Sequence, residues 1–138
     1  MAQPPRLLLD VNVLVALAWP HHPFHAIASR YMERCERWAT CATTQLGFLR
    51  VSLTPAFTNV SIGPLIALDL LGAMLEDSRH SYLDTSPEPV RMGEAFKRVL
   101  GHRQVTDAYL IELATRHKAR FLTLDAKLRS LPGVELLQ

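Results

Sequence analysis

Short apolar runs without polar alternation recur along the chain, and stretches with helical periodicity separate them. Runs of this kind are typical of strands buried on both faces of a parallel sheet. They predict strands at 6–10, 38–41, 80–83 and 119–124, with a possible fifth at 133–136. Because helical stretches lie between successive strands, the order predicts an α/β fold with a mainly parallel central sheet and helices on both faces. We expect a single domain over residues 1–138.

Proline, glycine and capping residues set the predicted ends of the helices. The second helix is expected to run from Pro23, which suits a first turn, to about Arg37. A later helix, from Pro89 to Leu100, is expected to stop at Gly101. The predicted N-caps of three further helices are Thr43 or Thr44, Ser61 and Thr106.

The longest apolar stretch runs from Ile62 to Leu75 and is interrupted by Asp69. It is too short to span a bilayer, so we expect no association with a membrane. It is predicted to be either a buried helix or a helix at an interface. Because few of its positions are polar enough to face water, the interface alternative predicts a homodimer.

Composition and charge narrow the class of protein. The 138 residues are 49% hydrophobic, which is enough for a sizeable core, and the net charge of +2 permits an anionic partner without requiring one. Cys35 and Cys41 form no CxxC pair, and free thiols suit a reducing compartment. The first residues carry one charge before a strand, unlike a signal peptide. We therefore expect a cytoplasmic protein.

Three aspartates occur where an apolar run gives way to a turn or a helix. Asp10 closes the first predicted strand, Asp125 closes the fourth, and Asp107 opens a helical stretch. Ligands bind at the carboxyl ends of parallel strands, and carboxylates gathered there repel one another unless a cation lies between them. Each aspartate alone is as well explained as a helix cap. The occurrence of three at comparable positions favours one divalent-metal site built from both ends of the chain.

Five segments carry a resemblance to a known family. In chain order they read LLDVNVL (8–14), HPFHA (22–26), TTQLGFLRV (43–51), HRQVTDAYL (102–110) and LTLD (122–125). The chain resembles the PIN-domain ribonucleases, and specifically the VapC-type toxins of bacterial toxin–antitoxin modules, from about residue 6 to 136. The resemblance implies an acidic pocket that binds Mg²⁺ or Mn²⁺, metal-dependent cleavage of RNA, a homodimer, and inhibition by a cognate VapB-type antitoxin. It assigns catalysis and metal binding to Asp10, Asp107 and Asp125.

The chain departs from the family at a fourth position. The family usually has a glutamate at the start of its third helix, and this chain has Gln45. A glutamine is neutral and is a poor ligand for a hard cation beside carboxylates. Either the metal site is weakened, or this position contacts only a metal-bound water. Glu112 lies five residues after Asp107 and is displaced around the helix, so it is an unconvincing replacement.

Neutral and basic residues near the predicted pocket are candidates for supporting roles. Asn12, Thr106 and Thr123 offer oxygen atoms that can orient the carboxylates. Arg50 lies on the same predicted helix as Gln45 and is the basic residue expected near the pocket, for substrate binding. Its alternative is a salt bridge at the end of the helix.

A second set of cations lies at helical spacing on another segment. Arg30, Arg34 and Arg37 could form a basic stripe for RNA phosphates. Glu33 and Glu36 are interleaved with them, so an ordinary solvated face is the favoured interpretation.

These observations lead to a functional interpretation. A metal ion held by the three aspartates would lower the pKa of a bound water and offset the charge that develops on an RNA phosphodiester. The chain is therefore interpreted as a metal-dependent endoribonuclease, the toxin of a type II toxin–antitoxin system. The alternative is an attenuated PIN-fold protein that binds RNA or antitoxin without efficient cleavage. A response-regulator receiver would need an acidic pair after the first strand and a suitable lysine closing the last, and the chain has neither.

Overall fold

A parallel sheet forms the centre of the molecule. The computed structural model describes residues 3–99 and 101–138. The strands within these ranges are β1 (Arg6–Leu9), β2 (Trp38–Cys41), β3 (His80–Leu83), β4 (Ala119–Thr123) and β5 (Val134–Leu136). They lie in the order β3-β2-β1-β4-β5, and every neighbouring pair is parallel. The predicted mainly parallel sheet is confirmed, and the carboxyl ends of the strands share one edge.

Helices cover both faces of this sheet. The α-helices of the described residues are α1 (Val11–Ala18), α2 (His25–Glu33), α3 (Ala42–Ser52), α4 (Pro55–Thr58), α5 (Pro64–Leu75) and α6 (Val105–Arg116). Helix α2 is shorter than the predicted range of 23–37. Short 3₁₀ turns occupy Pro89–Arg91, Gly93–Arg98, His102–Gln104 and Ala126–Leu128.

Alternating side chains along β1 supply two hydrophobic cores. Leu7 and Leu9 contribute to the core on the face covered by α1, α2, α3 and α5. Leu8 contributes to the core on the other face, where Leu110 and Leu113 of α6 are also buried. A strand that is buried on both faces cannot alternate with polar residues, which explains the uninterrupted apolar run in the sequence.

The helix predicted from Pro89 to Leu100 is not found. The chain instead forms the 3₁₀ turns Pro89–Arg91 and Gly93–Arg98, and Leu100 lies outside the described residues. Met92 is fully buried between the two turns, and Gly93 follows it directly. A glycine at this point disfavours a continuous α-helix, so the segment is anchored by one side chain rather than by an apolar helical face.

The predicted N-caps of three helices are wrong by a few residues. The observed caps of α3, α5 and α6 are Cys41, Gly63 and Gln104. Thr44 acts from inside the first turn of α3, where its Oγ1 accepts a hydrogen bond from the backbone N–H of Cys41 over 3.0 Å. A 3₁₀ turn runs directly into α6, so the helix begins before Thr106. This threonine therefore lies inside the first turn, and its side chain is exposed.

Helices α1 and α3 approach each other closely at Gly47. A Cβ atom built at this position would lie 2.4 Å from Cγ2 of Val11, which is a clash. The absence of a side chain therefore permits the approach. The contact fixes the first turns of α3 against the residue that follows Asp10.

Helix α5 has an exposed apolar face. Its side chains Leu65, Ile66 and Leu68 are 75%, 54% and 48% exposed, whereas Ala67 and Leu71 are buried. The helix is therefore not wholly internal. Within residues 3–99 and 101–138, no helix has the length and apolar character needed to cross a membrane.

Candidate active site

The three aspartates lie at the carboxyl edge of the sheet or beside it. Asp10 directly follows β1, and its Oδ1 accepts a hydrogen bond from the backbone N–H of Val11 over 2.7 Å at the start of α1. Asp125 follows β4 closely, and its Oδ1 accepts from the backbone N–H of Lys127 over 2.9 Å. Asp107 lies in the first turn of α6. Capping and site formation are therefore compatible for Asp10 and Asp125.

The three carboxylates share one electrostatic environment. Burial, together with the smaller effect of the charges of Asp10 and Asp125, raises the pKa of Asp107 to about 6. Burial also raises the pKa of Asp10, with an added contribution from Asp125, while hydrogen bonds from Thr123 and Val11 oppose the shift. Each aspartate thus interacts with the others, although 97 positions (107 − 10) separate Asp10 from Asp107. The three carboxylates are thus near enough to influence one another electrostatically, and their roles as metal ligands and catalytic groups stay predictions.

Thr123 links two of the aspartates through one hydroxyl group. Its Oγ1 donates to Oδ2 of Asp10 over 2.7 Å and accepts from the backbone N–H of Asp125 over 3.0 Å. The same oxygen accepts from Nδ2 of Asn12 over 3.2 Å. Thr123 is fully buried and Asp10 is only 8% exposed, so these bonds hold the Asp10 carboxylate in one orientation.

Asn12 joins the first helix to the last part of the sheet. Its Oδ1 accepts from the backbone N–H of Leu124 over 3.1 Å, and its Nδ2 donates to Thr123. The predicted supporting roles of Asn12 and Thr123 agree with these contacts. Thr106 makes no comparable bond to an aspartate in the described part of the chain, and its side chain is exposed.

The donor set has the chemistry of a site for a hard cation. Carboxylate oxygens are preferred ligands of Mg²⁺ and Mn²⁺, and each charge that raises a neighbouring pKa would be offset by a bound cation. Among the described residues, no three His, Cys, Asp or Glu side chains stand together closely enough to enclose an ion in the conformation observed. Asp107 and Asp125 are partly exposed, whereas Asp10 is buried.

Gln45 is held by the sheet rather than by the aspartates. Its Nε2 donates to Oγ1 of Thr40 over 3.0 Å, and this oxygen lies 2.7 Å from Nε2 of His80. Thr40 is fully buried in β2, so the amide end of Gln45 is anchored beneath the start of α3. No hydrogen bond joins Gln45 to Asp10, Asp107 or Asp125 in the part of the chain that is described.

The cations beside the aspartates differ from those expected. Arg50 lies in the last turn of α3, about 12 Å along the helix from its start at 1.5 Å per residue, and its side chain is exposed. A cleft of about 480 Å³ is lined instead by Arg103 and Lys127, together with Asp107 and Asp125. The sequence could have indicated these two cations by their closeness to the aspartates, since Arg103 precedes Asp107 by four residues and Lys127 follows Asp125 by two.

Comparisons with known proteins agree with this fold and site. The family model described as PIN domain matches residues 7–134. Ribonuclease VapC39 of Mycobacterium tuberculosis is 39% identical over 135 residues, which cover 95% of this chain and 96% of the relative. Ribonuclease VapC38 of the same species is 39% identical over 121 residues, covering 86% of this chain and 84% of the relative.

Solved structures with little sequence identity share the fold. The sarcin-ricin loop cleaving toxin VapC20 of M. tuberculosis has a TM-score of 0.68 at 10% identity and covers 94% of this chain and 97% of its own. A toxin-antitoxin complex from Klebsiella pneumoniae has a TM-score of 0.65 at 17% identity, covering 94% and 95%. The fold is that of a PIN domain. The chain belongs to the PIN-domain family and, within it, to the VapC ribonucleases.

Proposed function

We propose that the protein is a metal-dependent endoribonuclease, formed by a single PIN domain, that acts as the toxin of a type II toxin–antitoxin system. The observation that carries the proposal is the electrostatic coupling of Asp10, Asp107 and Asp125 at one edge of the sheet. Relatives at 39% identity over most of the chain are named ribonucleases, which supports the same reaction class.

The roles of the residues follow from their contacts. Asp10, Asp107 and Asp125 would hold Mg²⁺ or Mn²⁺, which supplies Lewis acidity toward the phosphodiester and lowers the pKa of the attacking water. Thr123 and Asn12 orient Asp10, so that its carboxylate keeps its position as substrate approaches. Asp107 is half protonated near pH 6 in the absence of a cation, because its pKa is raised to about 6, and it must lose that proton to act as a ligand.

Gln45 supports a second candidate function. A glutamine adds no charge to the site, and its Nε2 is already engaged by Thr40. In this alternative the protein is an attenuated PIN-fold protein that binds RNA or antitoxin without efficient cleavage. The two candidates differ in one measurable quantity, the rate of RNA cleavage at saturating metal.

Partners are proposed from the neighbouring structures and from the surface. Two solved structures with this fold are VapBC2 from Rickettsia felis and the toxin-antitoxin complex from Klebsiella pneumoniae. They support a VapB-type antitoxin as a partner of this protein. The exposed apolar face of α5 supports a homodimer, because an exposed apolar patch of this kind usually marks an interface.

A cleavage assay tests the enzymatic proposal. Purified protein is incubated with a mixture of transfer, ribosomal and messenger RNA in Mg²⁺, in Mn²⁺ and in EDTA. We expect cleavage that requires the metal and is abolished by Asp10→Asn or Asp107→Asn. Glu33→Gln makes the same change in charge and is the matched control, because Glu33 is exposed at the end of α2 and should leave the rate unchanged. Absence of cleavage by the wild-type protein, with RNA binding retained, would favour the attenuated alternative.

A further inference from the structure

A cleft beside Asp107 and Asp125 combines the two signs of charge. It lies between the turn that precedes α6 and the turn that follows β4, and its volume is about 480 Å³. Arg103 comes from the first turn and Lys127 from the second. Because carboxylates alone would repel an RNA strand, cations that line the same cleft matter for how a strand could approach them.

These two cations are available to an external anion. Arg103 and Lys127 are both exposed, and neither forms an ion pair with any residue that the structure describes. Other basic side chains are already paired, for example Arg79 with Asp77 at 2.6 Å and Lys97 with Glu94 at 3.0 Å. A bound phosphate would therefore displace no internal partner of Arg103 or Lys127.

The backbone holds both cations at fixed separations from the aspartates. Lys127 belongs to a 3₁₀ turn whose backbone N–H groups bond to Asp125, at 2.9 Å from Lys127 and 3.1 Å from Leu128. Arg103 belongs to a 3₁₀ turn that continues into α6, four residues before Asp107. Arg103 and Asp107 both line the cleft, so the two side chains face the same region.

We propose that Arg103 and Lys127 bind phosphates of a single RNA strand on either side of the phosphodiester that lies at the aspartates. The inference rests on the proposed function and adds the path of the strand to it. Arg103 and Lys127 would bind the backbone rather than the bases, because a guanidinium and an ammonium recognise phosphate charge, whatever the sequence. The occupant is RNA rather than an acidic protein segment, since the site that it must reach is the one that cleaves RNA.

The competing location for phosphate binding is at the other end of the sheet. Arg37 directly precedes β2, and Arg34 lies just after α2, so the stripe with Arg30 points to the amino edge of the strands. Arg37 is also committed, because its Nη2 donates to the backbone oxygen of Pro4 over 2.9 Å. A strand bound there would not pass the aspartates. Arg34 therefore supplies a matched control with the same change in net charge.

The salt dependence of RNA binding tests the proposal. Every protein carries Asp107→Asn and the buffer contains EDTA, so that the RNA stays intact. Binding of a fluorescein-labelled single-stranded RNA of about twelve nucleotides is followed by anisotropy across a range of KCl concentrations. For single strands, each neutralised phosphate contributes about −0.7 to the slope of log K against log salt. We expect Arg103→Gln and Lys127→Gln each to reduce the slope by about 0.7, the double variant to reduce it by about 1.4, and Arg34→Gln to leave it unchanged.

The outcomes separate this inference from the proposed function. Slopes that are unaffected by Arg103→Gln and Lys127→Gln, or reduced equally by Arg34→Gln, would overturn the cleft as the path of the strand. Failure of the Asp107→Asn protein to bind the RNA measurably would overturn it as well. The proposed function is judged independently, by whether protein with a native Asp107 cleaves RNA in Mg²⁺ or Mn²⁺. Retained metal-dependent cleavage together with unchanged slopes would reject the inference alone.

Discussion

Gln45 donates a hydrogen bond from Nε2 to Oγ1 of Thr40 over 3.0 Å, and the hydroxyl of Thr40 in turn lies 2.7 Å from Nε2 of His80. A threonine hydroxyl has one proton. Its oxygen can accept two hydrogen bonds, so Thr40 either gives its proton to Nε2 of His80 or accepts a second bond from that nitrogen, according to the tautomer of the ring. Burial lowers the pKa of His80, which favours a neutral ring in this position. The residue at position 45 thus takes part in the hydrogen-bond network of a histidine on the edge strand.

Gln45→Glu should tighten metal binding if residue 45 reaches the ion. A unit charge pair near 4 Å contributes about 4 kcal/mol at an effective dielectric of 20, and desolvation with repulsion from three aspartates leaves a net gain of roughly 1–3 kcal/mol. We expect an affinity for Mg²⁺ or Mn²⁺ that is about ten- to a hundredfold higher, measured by calorimetric titration, and faster cleavage at sub-saturating metal. Equal affinities and equal rates would exclude an attenuated site.

The protonation of His80 provides the control for this variant. A glutamate cannot donate to Thr40, so the Thr40 hydroxyl would turn to the carboxylate and His80 would have to donate from Nε2. The pKa of His80, followed by NMR, should therefore rise in Gln45→Glu if the carboxylate stays on Thr40. A raised pKa with unchanged metal affinity would place residue 45 out of reach of the ion.

Asp107→Asn should stabilise the metal-free protein at neutral pH. The folded-state pKa of about 6 lies above the ordinary value of 3.8, so the folded protein binds the proton more tightly and loses stability as the pH rises from about 3.8 to about 6. Removing the charge should raise the free energy of unfolding by about 1–3 kcal/mol near pH 7.5 and by little near pH 4. Urea denaturation in EDTA at both pH values measures the effect. A gain that is equal at both pH values would contradict the electrostatic explanation.

Thr123→Val should destabilise the protein through the loss of a buried hydroxyl. The substitution nearly preserves shape but leaves the Oδ2 of Asp10, the Nδ2 of Asn12 and the N–H of Asp125 without this partner. An unsatisfied buried group costs about 1–3 kcal/mol, and Asn12 and Asp125, which are partly exposed, should lose less than Asp10, so we expect a total loss of about 2–4 kcal/mol in thermal or urea unfolding. Thr115→Val is the control, because its Oγ1 bonds only to the helical carbonyl of Ile111 on the surface. If Thr123→Val loses no more stability than Thr115→Val, the Thr123 hydroxyl does not stabilise the arrangement of Asp10 and Asp125.

Gly47→Ala should separate α1 from α3. The added methyl would lie 2.4 Å from Cγ2 of Val11, and overpacking of this kind costs about 1–3 kcal/mol, partly offset by the better helix propensity of alanine. Val11→Ala in the same chain should recover most of the loss, since it removes the opposing methyl groups. Gly72→Ala meets nothing within 4 Å and should instead stabilise α5 by up to about 1 kcal/mol. If the effects of Gly47→Ala and Val11→Ala on the free energy of unfolding are simply additive in a double-mutant cycle, the contact is refuted.

The exposed face of α5 should control the oligomeric state. Leu65 and Ile66 are more than half exposed, and a glutamate at either position would bury a charge in any interface built on this face. We expect light scattering at micromolar concentration to show a dimer for the wild-type protein and a monomer for Leu65→Glu. A wild-type monomer would decide against the dimer, and Val90→Glu, at an exposed position outside α5, should leave the mass unchanged.

The central strands were predictable because burial on both faces leaves short apolar runs, as in β1 and β4, whereas the edge strand β3 is only partly buried. The predicted strand from His80 to Leu83 coincides with the observed one, and so does that from Trp38 to Cys41. The structure of the region from Pro89 to Leu100 was not predictable from the sequence. Apolar residues at roughly helical spacing do not show whether one side chain or a whole helical face is buried. There, Met92 alone is fully buried among the side chains described.

The acidic site was predictable from position alone, whereas its surroundings were not. Asp10 and Asp125 follow strands, and a parallel sheet brings such residues to one edge. The partner of Gln45 could not be predicted, because a side chain of this length reaches either the pocket or the strand before its helix. The cations of the cleft were overlooked for a similar reason, since Arg50 is near Gln45 in sequence but lies toward the far end of the helix.

The position of β1 between β2 and β4 has a consequence for the timing of synthesis. Residues up to Leu83 supply β1, β2 and β3, so β1 remains an edge strand until β4 is made. Asp10 leaves the ribosome 113 residues before Thr123 and 115 before Asp125 (123 − 10 and 125 − 10), and these two residues complete its surroundings. A nascent chain that ends between Asp10 and Thr123 would therefore carry the first aspartate without the remainder of the site. The acidic site of this ribonuclease is complete only once translation has passed Asp125.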